Sequence, residues 1–298
     1  MWVKMKYRVR CIPCVINVRF KELINAVQDD DLASKIGLNI VKKAYELFSK
    51  FDELTHIATL LFRYTIEQAP SIIDYYRRVK EESIRRLLKM QHKCLRLLEG
   101  LEGYNRFKMA IKIAIAGNAL DMGVAEYEPK DIDLREVLEK DLRIDHSMEL
   151  YSMVSKGNKK IIYLLDNAGE AVFDAILINE LETLGNKVIA VAKEEPGFQN
   201  DATLNDAIMA GIDKYATEVI TTGTSASSIH LDEVSKHFLE KLKESDIIIA
   251  KGMAHFEYVS EIELGKPTYF LLIPKCDVIA SMLNVEKHVY VLYKKTHQ

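Results

Sequence analysis

The chain has 298 residues, of which 48% are hydrophobic and 29% charged, and its Lys+Arg 41 against Asp+Glu 44 leave a net charge of -3. That is the composition of a globular protein of about two domains, and it excludes a disordered, collagen-like or low-complexity chain. The balanced charge offers no basic excess for nucleic acid. No apolar run reaches the ~18 residues of a membrane span, and no signal-peptide h-region follows the basic N-terminus, so a cytoplasmic protein with reduced thiols is expected.

Near the start, Cys11 and Cys14 stand at metal-ligand spacing. Only Cys94 and Cys276 join them, and no second close pair completes a four-cysteine zinc site. A second metal, a redox pair and simple packing all stay open for Cys11 and Cys14. From about residue 20 to 125 the apolar spacing is helical, as in Ile40, Val41, Ala44, Leu47 and Phe48. Tyr75 to Leu98 and Tyr104 to Ala116 repeat that spacing, the former among many Arg and Lys expected to form a solvated face. The pattern breaks at Gly117-Asn118 and Gly123, and the acidic stretch 126–145 with Pro129 predicts a surface connection or short helices.

After Lys159 the chain changes character. Short β-branched runs predict strands at Ile161 to Leu165, Val188 to Val191, Ile247 to Ala250, Tyr269 to Ile273 and His288 to Leu292. Continuous apolar strands are those buried on both faces of a parallel sheet. Helical segments at Ala171 to Leu184 and Leu231 to Leu242 separate them. The expected fold is therefore α/β: a Rossmann-like, doubly wound, mainly parallel sheet over 151–298, preceded by an all-helical domain over 1–150.

In such a sheet, ligands bind beyond the carboxyl ends of the strands. Asp166 and Asn167 follow the first strand and offer adjacent oxygen ligands, with Gly169 and a helix start near Glu170 beside them. Asp201 comes from the next such loop, and two carboxylates with an amide suit Mg²⁺ or Mn²⁺. Helix capping is the competing explanation for each, and Asp206 is a competing ligand one helical turn on. Lys251 and Lys275 end two further strands and can meet a phosphate as point charges; the alternative is that they snorkel at the surface. The polar loop Gly223 to Ser228 either cradles phosphate or simply connects strand to helix, and His255 is a lone histidine open to a ligand or acid role. No dinucleotide fingerprint, P-loop or nucleophile elbow is present.

Together these segments resemble the damage-control phosphatase family, formerly domain of unknown function 89. The resemblance lies in Leu165 to Glu170 with Phe173-Asp174, Gly117-Asn118 with Asp121, Asn200 to Thr203, Lys251-Gly252 with Phe256-Glu257, Lys275-Cys276, and Cys11 with Cys14 as in the stand-alone prokaryotic branch. It implies a metal-dependent phosphatase of sugar phosphates or damaged phosphometabolites, using Mn, Co, Ni or Mg. By the same resemblance Asp166, Asn167 and Asp201 hold the metal, Lys251, Lys275 and Asn118 meet the phosphate, and the pocket lies between the domains. Asp166, Glu170, Asp121 and Lys251 are then the catalytic candidates, with Asp166 or a metal-activated water as nucleophile and Glu170 or Asp121 moving the proton. Ala254 and His255 depart from the family's Gly and Asn, and Ser227-Ser228 from its Pro-Gly, which puts substrate preference in question. The expected partner is a small phosphorylated metabolite, without nucleic acid or membrane, on a monomer or homodimer. Two rivals stand beside this: an S-adenosylmethionine-dependent carboxyl methyltransferase, as described for a eukaryotic relative, and a non-catalytic phosphometabolite sensor. The first strand lacks the Gly-rich loop most methyltransferases use.

Overall fold

The computed structural model describes residues 6–120 and 139–295, so Asp121 lies outside the described residues. The N-terminal layer is helical: α1 (Cys11–Ala26), α2 (Asp30–Lys50), α3 (Leu54–Gln68), α4 (Ser71–Arg96) and α5 (Gly103–Leu120). Helix α2 starts where the Asp29 carboxylate accepts from the Leu32 backbone N–H, and it buries Ile36, Ile40, Ala44 and Leu47 at three- to four-residue spacing. Helix α4 buries Ile72, Tyr76, Ile84 and Leu87 and turns its Arg and Lys side chains outward, with Lys80 as the buried exception. These stripes close a core of their own around Ile40, Ile57, Leu61 and Ile72.

The second layer is built from β1 (Leu142–Asp145), α6 (Ser147–Val154), β2 (Lys160–Leu164), α7 (Ala171–Thr183), β3 (Lys187–Ala192), α8 (Leu204–Met209), β4 (Glu218–Thr221), α9 (Lys236–Glu244), β5 (Ile247–Lys251), α10 (Gly252–Val259), β6 (Thr268–Leu272), α11 (Asp277–Leu283) and β7 (Tyr290–Lys294). The strands form one sheet in the order β1-β7-β6-β5-β2-β3-β4. Strands β2 to β6 run parallel, β7 is antiparallel to β6, and β1 is parallel to β7. Alternate residues serve opposite cores. Ile161 and Tyr163 pack under α5 and α7, while Ile162 and Leu164 pack with Phe238, Phe256 and Ile279 of α9, α10 and α11. Burial on both faces is why these strands read as unbroken apolar runs.

The chain leaves β2 towards β3 and β4, then returns to place β5 on the other side of β2. The crevice at the carboxyl ends of β2 and β5 is therefore the switch point where ligands bind in this architecture.

Three sequence expectations need correction. The boundary at 150 falls inside the second layer, because β1 joins the sheet and Leu150 and Val154 of α6 enter its core. Strands β1 and β4 were not expected. Both are edge strands, and their part-exposed, polar-containing sequences lack the apolar continuity of the interior strands. The helix expected from Leu231 begins at Lys236, where the Ser235 hydroxyl accepts from the Phe238 N–H.

Candidate active site

Two loops meet at the switch point. The loop after β2 and the loop before α8 pair as a short ladder: Asn167 bridges Asp201, Ala168 N–H donates to Asn200 O at 2.9 Å, and Ala202 N–H donates to Asp166 O at 2.8 Å. Backbone pairing thus holds Asp166, Asn167 and Asp201 together. Gly252 makes this possible from the β5 side. Its φ is +77°, and a Cβ there would lie 1.9 Å from Asp166 Oδ2, so no other residue lets the β5–α10 turn approach the carboxylate this closely.

Glu170 organises the amides. It is completely buried, and its Oε1 accepts from Asn118 Nδ2 at 2.9 Å, Asn167 Nδ2 at 2.8 Å and the Asn167 backbone N–H at 3.3 Å. Both amide nitrogens also reach Asp166 Oδ2, at 3.2 and 3.3 Å. A carboxylate accepts only, so the NH₂ ends must face Glu170 and the amide oxygens must face away. Asn118 Oδ1 is consequently a buried acceptor without a hydrogen-bond partner among the described residues.

This arrangement revises two expectations. Asn118 was expected to meet the phosphate, but both its N–H donors are committed and its remaining atom is an oxygen, which repels phosphate oxygens. Lys251 was expected at the phosphate and among the catalytic groups. It is fully buried, and its ammonium donates to Ala114 O (3.0 Å), Glu170 Oε2 (2.8 Å) and Asp174 Oδ1 (2.6 Å). Three donors meet three acceptors, so none is left for a ligand. Lys251 is a positioning residue beneath the site.

The charges follow from this packing. Burial alone would raise Glu170, but the Lys251 charge and hydrogen bond hold it below the usual carboxylate range. A carboxylate held as an anion under four hydrogen bonds is a poor proton carrier. Asp174 is pushed up to about 6 by burial, against the pull of Lys251; it also accepts from the Tyr163 hydroxyl at 2.7 Å. Asp166 is driven well above its ordinary value by burial and by the Glu170 and Asp201 charges, with Lys275 and Lys251 pulling back.

Lys193, at the end of β3, was not singled out from the sequence. It is 2% exposed and lies 3.8 Å from Asp201 Oδ2, and its ammonium has no hydrogen-bond partner among the described residues. Burial depresses its pKa while Asp201 and Asp166 raise it. The signal was present: Lys193 ends a buried strand just as Lys251 and Lys275 do. Lys275 is part-exposed, and its charge reaches both Asp166 and Glu170. Four carboxylates (Asp166, Glu170, Asp174, Asp201) therefore face three ammonium groups (Lys193, Lys251, Lys275). A divalent cation fits this donor set: the oxygens of Asp166, Asn167 and Asp201 are hard and clustered, and four carboxylates face only three ammonium groups.

Two competitors are removed. Asp206 closes a capping box with Thr203 and pairs with buried Lys80 at 2.6 Å. In the Gly223 to Ser228 loop the Thr224, Ser227 and Ser228 hydroxyls are spent on Glu233, on α3 and on His255. Ser227 Oγ donates to Thr55 O, Ser227 N–H to Thr59 Oγ1, and Thr224 Oγ1 to Glu233.

Residues 8–291 match the family profile described as damage-control phosphatase ARMT1-like domain. The chain belongs to the damage-control phosphatase family. A damage-control phosphatase of Archaeoglobus fulgidus is 33% identical over 94% of this chain and 96% of that protein. One from Pyrococcus horikoshii is 32% identical over 96% and 97%, and an uncharacterized protein of Methanocaldococcus jannaschii is 31% identical over 98% and 96%. A crystal structure of a Pyrococcus horikoshii protein of the same family, under its older name, superposes with a TM-score of 0.85 at 30% identity, covering 98% of this chain and 100% of that one.

Three further groups carry candidate chemistry. His255 is buried, and its Nε2 lies 3.1 Å from Leu165 O. A carbonyl only accepts, so Nε2 carries the hydrogen and Nδ1 accepts from the Ser228 hydroxyl at 3.1 Å. Burial and nearby Lys193 keep the ring neutral; it is a brace under the Asp166 loop rather than an acid. Cys11 is buried and Cys14 exposed on the first turn of α1, and none of the four cysteines forms a disulfide. Burial raises the Cys11 thiol pKa, the opposite of an activated redox thiolate. Finally, His56, His230 and Glu233 gather their ligand atoms within 4.8 Å of one another, a grouping that the sequence separation concealed. Among the described residues, no helix is long and apolar enough to cross a membrane.

Proposed function

We propose that this damage-control phosphatase is a divalent-metal-dependent phosphomonoester hydrolase acting on small phosphorylated metabolites, sugar phosphates or their damaged forms. The observation that carries this reading is the paired loop geometry that sets Asp166, Asn167 and Asp201 beside the buried ammonium of Lys193, which has no hydrogen-bond partner among the described residues. Asp166, Asn167 and Asp201 would hold the cation, which when bound polarises a phosphoryl oxygen. Lys193 and Lys275 offset charge on the other phosphate oxygens, and Lys251 keeps Glu170 anionic so that the amides stay turned. Most phosphoryl-transfer catalysis lies in such positioning and charge neutralisation. Glu170 is too firmly hydrogen-bonded to move a proton, which leaves Asp121 as the candidate for that step. Hard oxygen donors suit Mg or Mn, and the family resemblance adds Co and Ni as candidates.

The test is inorganic phosphate release from a panel of sugar phosphates and p-nitrophenyl phosphate with each metal, beside the isosteric Asp166→Asn protein. Release should need metal, stop on chelation and fall by ~10²-fold or more in the variant. A folded, metal-loaded wild type that binds sugar phosphate tightly yet releases none would make the protein a sensor.

A further inference from the structure

Away from the carboxylate site, the chain carries a second group with the chemistry of a metal centre. His56 lies on the first turn of α3. His230 and Glu233 lie on the turn before α9, which is closed by Glu233 N–H donating to His230 O at 2.9 Å. His230 is 2% exposed and stacks on Tyr258 with ring centroids 4.6 Å apart. Its Nδ1 is 3.7 Å from Glu53 Oε1, while its Nε2 is buried without a hydrogen-bond partner among the described residues. Glu233 Oε2 accepts from Arg63 at 2.7 Å and from Thr224 at 3.0 Å, which fixes the carboxylate and leaves Oε1 for a further bond.

A buried ring nitrogen without a partner is costly, on the order of 1–3 kcal/mol. The Glu53 carboxylate stands beyond hydrogen-bond distance of Nδ1, but on the side where metal-bound histidines donate their other N–H while the remaining nitrogen meets the ion. Arg63 and Lys193 would oppose a cation here, against the three carboxylates Glu53, Asp232 and Glu233 around the same histidine. We infer that His56, His230 and Glu233 form a second metal site, for Zn²⁺ or another imidazole-preferring divalent ion, distinct from the oxygen-only site at Asp166. Two imidazoles and one carboxylate favour such ions over Mg²⁺. Tetrahedral bonds of ~2.0–2.1 Å put ligand atoms closer together than the present 4.8 Å, and the half-buried His56 side chain supplies the movement towards the fixed Glu233 carboxylate. The ion joins α3 to the His230–Glu233 turn, so it stiffens the seam between the helical layer and the sheet.

The experiment uses the full-length Asp166→Asn protein, stripped by chelation and titrated with Co²⁺ alone, then with Zn²⁺ as competitor. Expected is a visible Co²⁺ spectrum of low coordination number that saturates at one equivalent and is displaced by one equivalent of Zn²⁺. In the same background, half-buried His56→Ala should weaken Co²⁺ binding by at least ~10²-fold while leaving the metal-free Tm nearly unchanged; His230→Gln should do the same to binding. In otherwise wild-type protein, His56→Ala should keep its Mg²⁺-supported phosphate release. No saturable Co²⁺ spectrum, or one that survives His56→Ala, would overturn the site and reduce the group to an aromatic stack. The readout does not depend on turnover, so it stands or falls apart from the phosphatase reading.

Discussion

Replacing Lys251 by Met keeps the length of the side chain and removes the charge beneath the site. Glu170 Oε2 and Asp174 Oδ1, both in fully buried side chains, lose their ammonium partner, and Ala114 O loses a donor. Breaking a buried pair by removing one member costs ~3–5 kcal/mol. Protonating one abandoned carboxyl at pH 7, from an unfolded pKa near 4, costs ~4 kcal/mol, so the two routes agree. At ~2–4 °C per kcal/mol, the Tm of Lys251→Met should fall by roughly 10 °C. The pH dependence carries a sign. Without Lys251, burial raises the folded pKa of Glu170 and Asp174. The deficit is then greatest above those raised values and narrows as pH drops through ~4, below which both groups become neutral folded or unfolded. Thermal melts from pH 4 to 8, read by circular dichroism, measure it. Lys275→Met is the contrast: it should leave Tm within ~2 °C and raise KM for the phosphate ester. A Lys251→Met protein as stable as wild type at every pH, but with weakened substrate binding, would refute the reasoning and put Lys251 at the phosphate after all.

Two further outcomes follow from single contacts. Gly252→Ala places a Cβ against the Asp166 carboxylate at a positive φ; it should fold, with a loss of ~1–3 kcal/mol, and bind its activating metal at least tenfold more weakly, measured by calorimetry. Glu257 is pushed up to about 7 by burial. Its folded pKa exceeds its unfolded value, so its burial is cost-free at pH 4 and destabilises by ~2–3 kcal/mol as pH rises through 4.5 to 7. Glu257→Gln should flatten that part of the stability–pH curve in urea titrations, and an unchanged slope would mean the carboxyl is solvated.

The apolar runs of β2, β3, β5, β6 and β7 were legible because both faces of the sheet are covered, and the loop positions of Asp166, Asn167 and Asp201 follow from strand ends alone. Edge strands β1 and β4 were not legible, since half-exposed strands carry no continuous apolar signal. The lysines show the limit most clearly. Lys193, Lys251 and Lys275 each end a strand and look alike along the chain. Only packing separates them: α5 and α7 surround Lys251 with a carbonyl and two carboxylates, Lys193 is buried beside Asp201 with no hydrogen bond among the described residues, and Lys275 reaches solvent. The orientation of Asn118, the tautomer of His255 and the meeting of His56 with His230 and Glu233 were likewise decided by contacts between segments far apart in the chain. Sequence fixes which groups stand at a strand end; the free energy of burying them, and the partners that offset it, exist only once the layers close.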